Sequence, residues 1–448
     1  MNSCLKVSDP EIFALLDQEA QRQKDNIELI ASANFTSRAV LEATGSILTN
    51  KVAEGYPGRR YFSGCETIDV LENLAIDRAK QLFGATYANL EPYTGSQANQ
   101  AVYLTVLKPG DRILGMDLGH GGHLSHGAKF TMTGKIYDCH FYQVDPDTEY
   151  LDYDRILSQA KEIRPKLIIA GASSYPRTID FQRFREIADQ VGAYLLADIA
   201  HICGLVAAGL HPSPVPHAHF VTTSTQKTLR GPRSGMILLG EHSAAEFARK
   251  IDSAVFPGVQ GAVHVHAIAA KAVMLKEAMS PSFGSYQRQN LENSRILAAD
   301  LMERGFRLVS GGTDNHLMLV DLTEQGITGK EAEERLASVR ITVNKNLLPY
   351  DSQKPTICSG IRVGTSAITT RGFGAQEMHS IAELIDKMLS SEPTVNTIAK
   401  VQDEVSRLCR LHPHIDSIYE PDGDRFARQS EYQLQPFDCA QPFDCAQG

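Results

Sequence analysis

Five short apolar runs recur between residues 113 and 239, at 113–116, 167–170, 194–197, 220–223 and 236–239. Each is too short for a helix and none alternates apolar with polar residues. That is how a strand covered on both faces reads. Helical stretches such as Phe181–Val191 lie between several of them. Strands alternating with helices specify an α/β architecture built on a largely parallel sheet.

The rhythm changes further along. A long helical region near 262–304 precedes strand-like text at 317–320, 341–344 and 361–363, with helices expected near 330–338 and 375–389. This reads as a smaller α+β unit. Ile398, Val401, Val405 and Leu408 recur at 3-4-3 spacing, a last amphipathic helix. At the other end, Ile12, Leu15 and Leu16 among charges predict an amphipathic helix over 11–29. The expected division is a large domain over 1–280, a small one over 281–420, and a disordered tail over 421–448. The tail carries a duplicated Pro-Phe-Asp-Cys-Ala-Gln at 436–441 and 442–447, too few copies to build a solenoid.

Composition removes several classes. Hydrophobic residues make up 42% and charged residues 22%, values of a globular chain rather than a disordered one. Fifty-three Asp+Glu against 44 Lys+Arg give −9, which argues against nucleic acid or an anionic membrane as a general partner. No apolar run approaches the ~20 residues that cross a bilayer. The first residues lack the pattern of a secretory signal. The eight cysteines form no paired CxxC spacing, so a reducing cytoplasm is expected.

The densest unusual text is 222–235, where a strand rich in hydroxyls runs into Lys227 and then into Gly and Pro. Arg230 and Arg233 would place a positive field on that amine, which with burial lowers its pKa and makes it nucleophilic. A surface turn lysine is the alternative. Asp198 ends the apolar strand 194–197, at the sheet edge where open α/β folds bind ligands. A buried acid needs a cationic partner, and the pyridinium of pyridoxal phosphate is one; an N-cap or internal salt bridge is the alternative. Thr94, Gly95 and Ser96 open a helix, where backbone N–H groups bind phosphate or where a threonine merely caps. His120, His123 and His126 have no carboxylate or cysteine of matching spacing nearby, so no metal is expected. GxGxxG and P-loop fingerprints are absent from the sequence.

From about Ile12 to His412 the chain resembles the serine hydroxymethyltransferases. The likeness rests on separated blocks: 27–32, Ala53-Glu-Gly-Tyr-Pro-Gly58, Thr94-Gly-Ser-Gln-Ala-Asn99, 120–124, Lys227-Thr-Leu-Arg-Gly-Pro-Arg233, 310–316 and Ser359-Gly-Ile-Arg-Val-Gly364. The resemblance implies the aminotransferase-like fold-type I architecture with a seven-stranded sheet, pyridoxal 5'-phosphate as cofactor, and a homodimer or tetramer. It implies reversible transfer of the serine hydroxymethyl group to tetrahydrofolate. Lys227 then resembles the Schiff-base lysine, Asp198 the partner of the pyridinium, and His123 the ring stacked on the cofactor. Thr94, Gly95, Ser96, Ser173 and Gly261 resemble further cofactor contacts. Arg362 resembles the residue that grips the substrate carboxylate, with Ser32 and His201 positioning the substrate. Glu54 resembles the acid/base carboxylate. Tyr61, Leu118, Gly122, Leu124 and Asn346 fall on or near folate-facing positions.

The chain departs from that pattern close to the expected site. Val52 and Phe62 stand where the family has tyrosines, Gln226 where it has a histidine, and Ala33 where it has a glutamate. The glycine-rich loop reads Pro257-Gly-Val-Gln-Gly-Ala-Val263. Gln226 hydrogen-bonds but does not titrate, which marks it as a specificity position. Two other readings therefore stand beside hydroxymethyl transfer. One is a pyridoxal-phosphate aldolase cleaving threonine-like or α-substituted β-hydroxy amino acids without folate. The other is a weakly active paralogue that acts by binding.

Overall fold

The computed structural model describes residues 4–413; the duplicated hexapeptide lies outside them. Seven strands form the main sheet in the order Tyr87–Asn89, Gly235–Leu239, Phe220–Ser224, Tyr194–Asp198, Leu167–Gly171, Arg112–Met116, Asp138–Tyr142. Gly235–Leu239 runs antiparallel to both its neighbours and the remaining pairs are parallel. The central strands are buried along their whole length, which is why their sequences show no alternation. The fold is the fold-type I α/β architecture.

Two strands of this sheet went unread in the sequence, Tyr87–Asn89 and Asp138–Tyr142. Both lie at the sheet edges. An edge strand mixes polar and apolar residues because part of it faces solvent, so an apolar-run criterion passes over it.

Helices cover both faces and stop where their chemistry dictates. Phe181–Val191 begins at Asp180, whose carboxylate accepts from the Arg183 N–H at 3.0 Å, and ends at Gly192 with φ 70°. Its inward stripe is Phe181, Phe184, Ile187 and Ala188.

A four-stranded antiparallel sheet orders Arg307–Leu308, Leu317–Asp321, Gly360–Gly364 and Asn344–Asn346. It carries a separate core with the helices Gly329–Ser338, Ala375–Leu389 and Val395–Leu411. The long helix Pro281–Glu303 serves both cores, Phe283 and Tyr286 in one, Leu297 and Leu301 in the other.

The N-terminal expectation needs correction. The helix runs over Pro10–Asp25, buries none of its residues, and leaves Ile12, Leu15 and Leu16 exposed. Ile27 and Glu28 instead form a strand parallel to Ile341 and Thr342. Ile27 and Leu29 are fully buried in the second core, so extended pairing there wins over helical periodicity. Among the described residues no helix is long and apolar enough to cross a membrane.

At Gly171 the sheet leaves no room for a side chain. A Cβ there would lie 2.3 Å from the Asp198 carbonyl oxygen on the adjacent strand. Gly171→Ala is therefore expected to destabilise the protein by about 1–3 kcal/mol, read as a lower urea midpoint at unchanged slope.

Candidate active site

Three adjacent parallel strands, Leu167–Gly171, Tyr194–Asp198 and Phe220–Ser224, end on one cavity of about 370 Å³ at the carboxyl edge of the sheet, and the antiparallel Gly235–Leu239 starts from it. Lys227 follows Phe220–Ser224. Its turn is closed by the Arg230 N–H donating to the Lys227 carbonyl at 3.1 Å and the Gly231 N–H to the Thr225 carbonyl at 2.8 Å. A Cβ at Gly231 would lie 2.1 Å from the Met274 sulfur and 2.9 Å from the Thr225 carbonyl oxygen, so the turn leaves little room for a side chain there. Asn34 Nδ2 fixes the turn from outside by donating to the Lys227 carbonyl at 2.9 Å.

The Lys227 side chain is buried, which removes the surface-turn reading. Burial pushes its amine down to about 8; Asp198 pulls it up, and Arg362 and Arg233 push it down further. Arg230, expected to share in that field, lies over the Tyr286 ring at 4.8 Å instead.

Asp198 is buried at the end of Tyr194–Asp198. Burial alone would push its carboxyl up. The bond from His126 Nε2 (3.0 Å), the neighbouring imidazoles and the bond from Asn99 Nδ2 (2.8 Å) outweigh burial and hold it well below the usual carboxylate range. The Ala200 N–H donates to its other oxygen at 3.0 Å. His126 Nδ1 accepts from the His123 N–H at 3.3 Å, which assigns the Nε2 proton to the bond with Asp198. Asp198 is thus a preorganised anion with lone-pair capacity left over.

The three-histidine segment does acquire an acid once the chain folds. No carboxylate of matching spacing stands near it in sequence, yet folding brings Asp198 to it: ligand atoms of His123, His126 and Asp198 lie within 4.8 Å of one another. All three are already engaged in hydrogen bonds, His123 Nδ1 with Ser125 Oγ at 2.7 Å. Burial pushes the His123 ring down to about 4, so it is neutral. A neutral ring locked at one edge suits contact with a flat ligand.

Arg362 comes from the second sheet. Its Nη1 donates to the Ser173 carbonyl at 2.7 Å and its Nε to Asn344 Oδ1 at 3.3 Å. Burial pushes the guanidinium down to about 10, and among the described residues no carboxylate pairs with it. A buried cation without an anion asks for one. Ser32 is brought beside this strand by close backbone approach. The Gly364 N–H donates to the Leu29 carbonyl at 2.7 Å, and a Cβ on Gly364 would lie 2.4 Å from Ala31 Cα.

His201 is buried, and burial followed by the Lys227 charge pushes it well below its ordinary value. Its Nδ1 has no hydrogen-bond partner, nor have Ser224 Oγ and Gln226 Oε1 on the same wall. Thr94 caps the helix Gly95–Val106, accepting from the Gln97 N–H at 3.1 Å, and no acidic residue occupies the first turn. A ligand with an anionic group, a flat ring and a carboxylate fits this set of free donors, orphaned acceptors and unpaired cations. Pyridoxal phosphate joined to an amino acid has that chemistry.

The structure does not gather every expected residue on this cavity. Glu54, Tyr61, Gly122, Leu124, Asn346 and Gly261 do not line it. Leu118 lines a neighbouring cavity of about 260 Å³ together with His123. Gly122 answers to packing, since a Cβ would lie 2.1 Å from the Met116 carbonyl oxygen. Asn346 Nδ2 donates to the Leu347 carbonyl at 2.7 Å, and Leu124 is exposed. Tyr61 is 74% exposed, its ring 5.8 Å from that of Phe256. Gly261 has open space where a Cβ would go. Ala262 has no left-handed backbone, and its carbonyl accepts from the Tyr93 hydroxyl at 2.5 Å.

A buried ionic network ties these outlying segments to the cavity. Arg60 donates to the Gly55 carbonyl beside Glu54 and pairs with Glu72 and Asp69. Lys271 donates to the Leu90 carbonyl, to Ser234 Oγ at 2.9 Å and to the Gly235 carbonyl at 3.3 Å. Gln260 donates to the Glu91 carbonyl at 2.8 Å and accepts from the Tyr93 N–H at 3.2 Å. Burial, then the charge of Glu72, pushes the Glu91 carboxyl well above the usual carboxylate range.

A seven-stranded sheet of this order, with a buried lysine and a charged acid at its carboxyl edge, defines the fold-type I class of pyridoxal-phosphate enzymes. A family model described as serine hydroxymethyltransferase matches residues 5–385, and the chain belongs to that family. Its members are pyridoxal-phosphate enzymes of the hydroxymethyltransferase and aldolase type.

Sequence reasoning passed over Asn34, Asn99 and the pairing of His126 with Asp198, whereas Arg233 does bear on the Lys227 amine as expected. Asn99 lies one helical turn beyond Gly95, and a search for partners of a buried acid along that helix would have found it. Asn34 had no comparable signal, because its role depends on a contact 193 positions away.

Two outcomes are expected. In protein free of cofactor, modification of Lys227 by an amine reagent should rise as pH passes through about 8, because the neutral amine is the nucleophile, whereas an ordinary lysine responds near 10.4. Peptide mapping after pulse labelling reads this. Lys271→Met should leave three buried acceptors unpaired, at a cost of about 1–3 kcal/mol each, lowering stability measured by urea.

Proposed function

We propose that the protein moves a one-carbon hydroxymethyl unit between serine and tetrahydrofolate, giving glycine and 5,10-methylenetetrahydrofolate. One observation carries the reading: Lys227, Asp198 and an Arg362 without a carboxylate partner line the same cavity. Bound pyridoxal phosphate would supply an electron sink for a bond broken at the substrate Cα. Lys227 would hold its aldehyde carbon covalently through the ε-amine, while Asp198 would keep a proton on its ring nitrogen. His123 would lie against the ring, with Ser173 close by. Backbone N–H groups at Gly95 and Ser96, after the cap at Thr94, would take the phosphate.

Arg362 would grip the substrate carboxylate in bidentate fashion, fixing which Cα bond stands perpendicular to the ring. Ser32 and the orphaned His201 Nδ1 would position the amino acid. Glu54 would move the hydroxyl proton. Leu118, Gly122, Leu124 and Asn346 would face the folate.

Glu54, Tyr61 and Gly261 lie off the cavity, and we assign them to the cavity of a second copy. The face around them exposes Ile47, Val52, Tyr61, Phe62 and Leu104, large apolar side chains of the kind a protein interface covers. Tyr61→Glu is expected to convert a dimer to monomer in light-scattering chromatography. A homodimer that persists at all concentrations contradicts this use of the face.

Aldol cleavage without folate is the second reading. Gln226 favours it, because an amide takes no part in proton transfer where an imidazole would. Assaying serine with and without tetrahydrofolate, against threonine alone, separates the two. Glycine formed from serine only with folate supports transfer; threonine cleaved without any folate response supports the aldolase. Arg362→Ala is expected to lower kcat/KM by about 10²-fold or more, from loss of a charge-assisted bond of about 1.5–3 kcal/mol and of the orientation it fixes.

A further inference from the structure

The turn that carries Lys227 and the strand that carries Arg362 belong to different cores. Leu229 packs in the first, while Ile361 and Val363, on either side of Arg362, pack in the second. Asn34 reaches across. Its Nδ2 donates to the Lys227 carbonyl at 2.9 Å and to the Tyr286 hydroxyl at 2.8 Å. Its Oδ1 accepts from the Phe35 N–H at 2.8 Å and from the Thr370 hydroxyl at 2.7 Å. Two donors and two lone pairs are the whole capacity of a carboxamide, and all are used. The Phe35 N–H can only donate, which identifies the amide oxygen. An aspartate there would lose both donors, and a leucine every bond.

Asn34 is anchored on the side of Arg362. The Gly364 N–H donates to the Leu29 carbonyl at 2.7 Å, and His316 Nε2 to the Ala31 carbonyl at 3.2 Å. Strand Gly360–Gly364 runs through Thr365 into the helix Ser366–Thr370, all of it buried, whose last hydroxyl is the one on Asn34. A polar stripe on the long helix Pro281–Glu303 grips that short helix. Tyr286 donates to the Ser366 carbonyl at 3.1 Å, Asn290 Nδ2 to Ser366 Oγ at 3.1 Å and Asn293 Nδ2 to the Thr369 hydroxyl at 2.8 Å. A buried seam of satisfied polar groups is rigid and holds one register. Displacement of the Arg362 strand therefore has a stiff route to the Lys227 carbonyl.

Arg362 has cause to shift. Its guanidinium donates to the Ser173 carbonyl and to Asn344 Oδ1, both neutral acceptors. A carboxylate is a stronger acceptor than either, so its capture re-aims the side chain and loads the strand.

We propose that Asn34 is a positioning residue that relays capture of a carboxylate at Arg362 to the turn holding Lys227. The inference rests on the functional reading above and deepens it: the event that seats the amino acid also sets the amine in place. Gln287 Nε2 grips the adjoining Thr228 carbonyl at 2.7 Å, a parallel link from the long helix that the test separates from Asn34.

Hydrogen exchange on the cofactor-loaded protein reads the relay, with 3-hydroxypropionate as the probe. It has the carboxylate and hydroxyl of serine but no amine, so it seats at Arg362 without reacting. The Arg230 N–H donates to the same Lys227 carbonyl, so its exchange reports the turn. In the unaltered protein the probe is expected to slow exchange in peptides covering 360–364 and 225–231, each by about fivefold or more. Asn34→Ala should keep the first effect and lose the second. Thr370→Val cuts the far link, leaves the bond to Lys227, and should do the same; Thr370→Ser restores the hydroxyl and should recover the response. With serine as substrate, Asn34→Ala should lower kcat by about tenfold or more while KM changes less, because Arg362 still holds the carboxylate.

Full protection of 225–231 in either Asn34→Ala or Thr370→Val overturns the relay and leaves Gln287 as the link. Protection of 360–364 alone in the unaltered protein overturns it as well. Should Asn34→Ala fail to fold, Thr370→Val decides. Borohydride that leaves Lys227 unlabelled sinks the functional reading instead; the exchange comparison needs only a carboxylate at Arg362 and still decides the role of Asn34.

Discussion

The site depends on a carboxylate that stays charged inside a protein. Burial by itself would neutralise Asp198, yet the bonds from His126 and Asn99 and the nearby imidazoles keep it ionised. The arrangement is stiff because each donor is held in turn. Asn99 Oδ1 accepts from the Thr222 hydroxyl at 2.6 Å, and His126 is oriented by the His123 N–H. The strand following Asp198 in the sheet order delivers Lys227 to the same cavity, where burial and two arginines keep the amine close to deprotonation. An acid that remains an anion beside a lysine that readily gives up its proton is the electrostatic pairing needed to hold opposite ends of a charged heterocycle.

The surrounding fold keeps those groups in register. Gly171, Gly231 and Gly364 each stand where any side chain would strike backbone or a buried thioether. The Lys271 and Arg60 network links the turn before Gly95, the strand start at Gly235 and the loop bearing Glu54. Arg362 reaches the cavity from the second sheet, so the cavity is closed by two separately packed cores rather than carved from one. The replacements at Ala262 and Val259 leave this frame undisturbed, Ala262 without left-handed backbone and Val259 packed against the core.

Much of the fold was legible in the sequence because the central strands are buried on both faces and announce themselves as apolar runs. The edge strands at 87–89 and 138–142 did not, since half-exposed edges carry mixed composition. The N-terminal strand at Ile27 was hidden by helical periodicity upstream of it. For the site, Lys227, Asp198, His201, Ser32 and Arg362 were named from sequence, and folding sets them on one cavity. The electrostatic partners were harder. His126 was read in a histidine cluster without an acid, because the acid is 72 positions away. Arg230 was assigned a field it does not supply, as nothing in the sequence shows that a left-handed turn sends it over Tyr286.

The central claim is that the Lys227 amine is joined covalently to pyridoxal phosphate while Asp198 faces the ring nitrogen. Borohydride reduction of the protein with bound pyridoxal phosphate, followed by peptide mapping of the unaltered chain and of Asp198→Ala, tests it most directly. The account expects the pyridoxyl mass on the Lys227 peptide alone, and weaker cofactor retention in Asp198→Ala with the label still at 227. Label spread over surface lysines, or retention indifferent to the loss of Asp198, would contradict it.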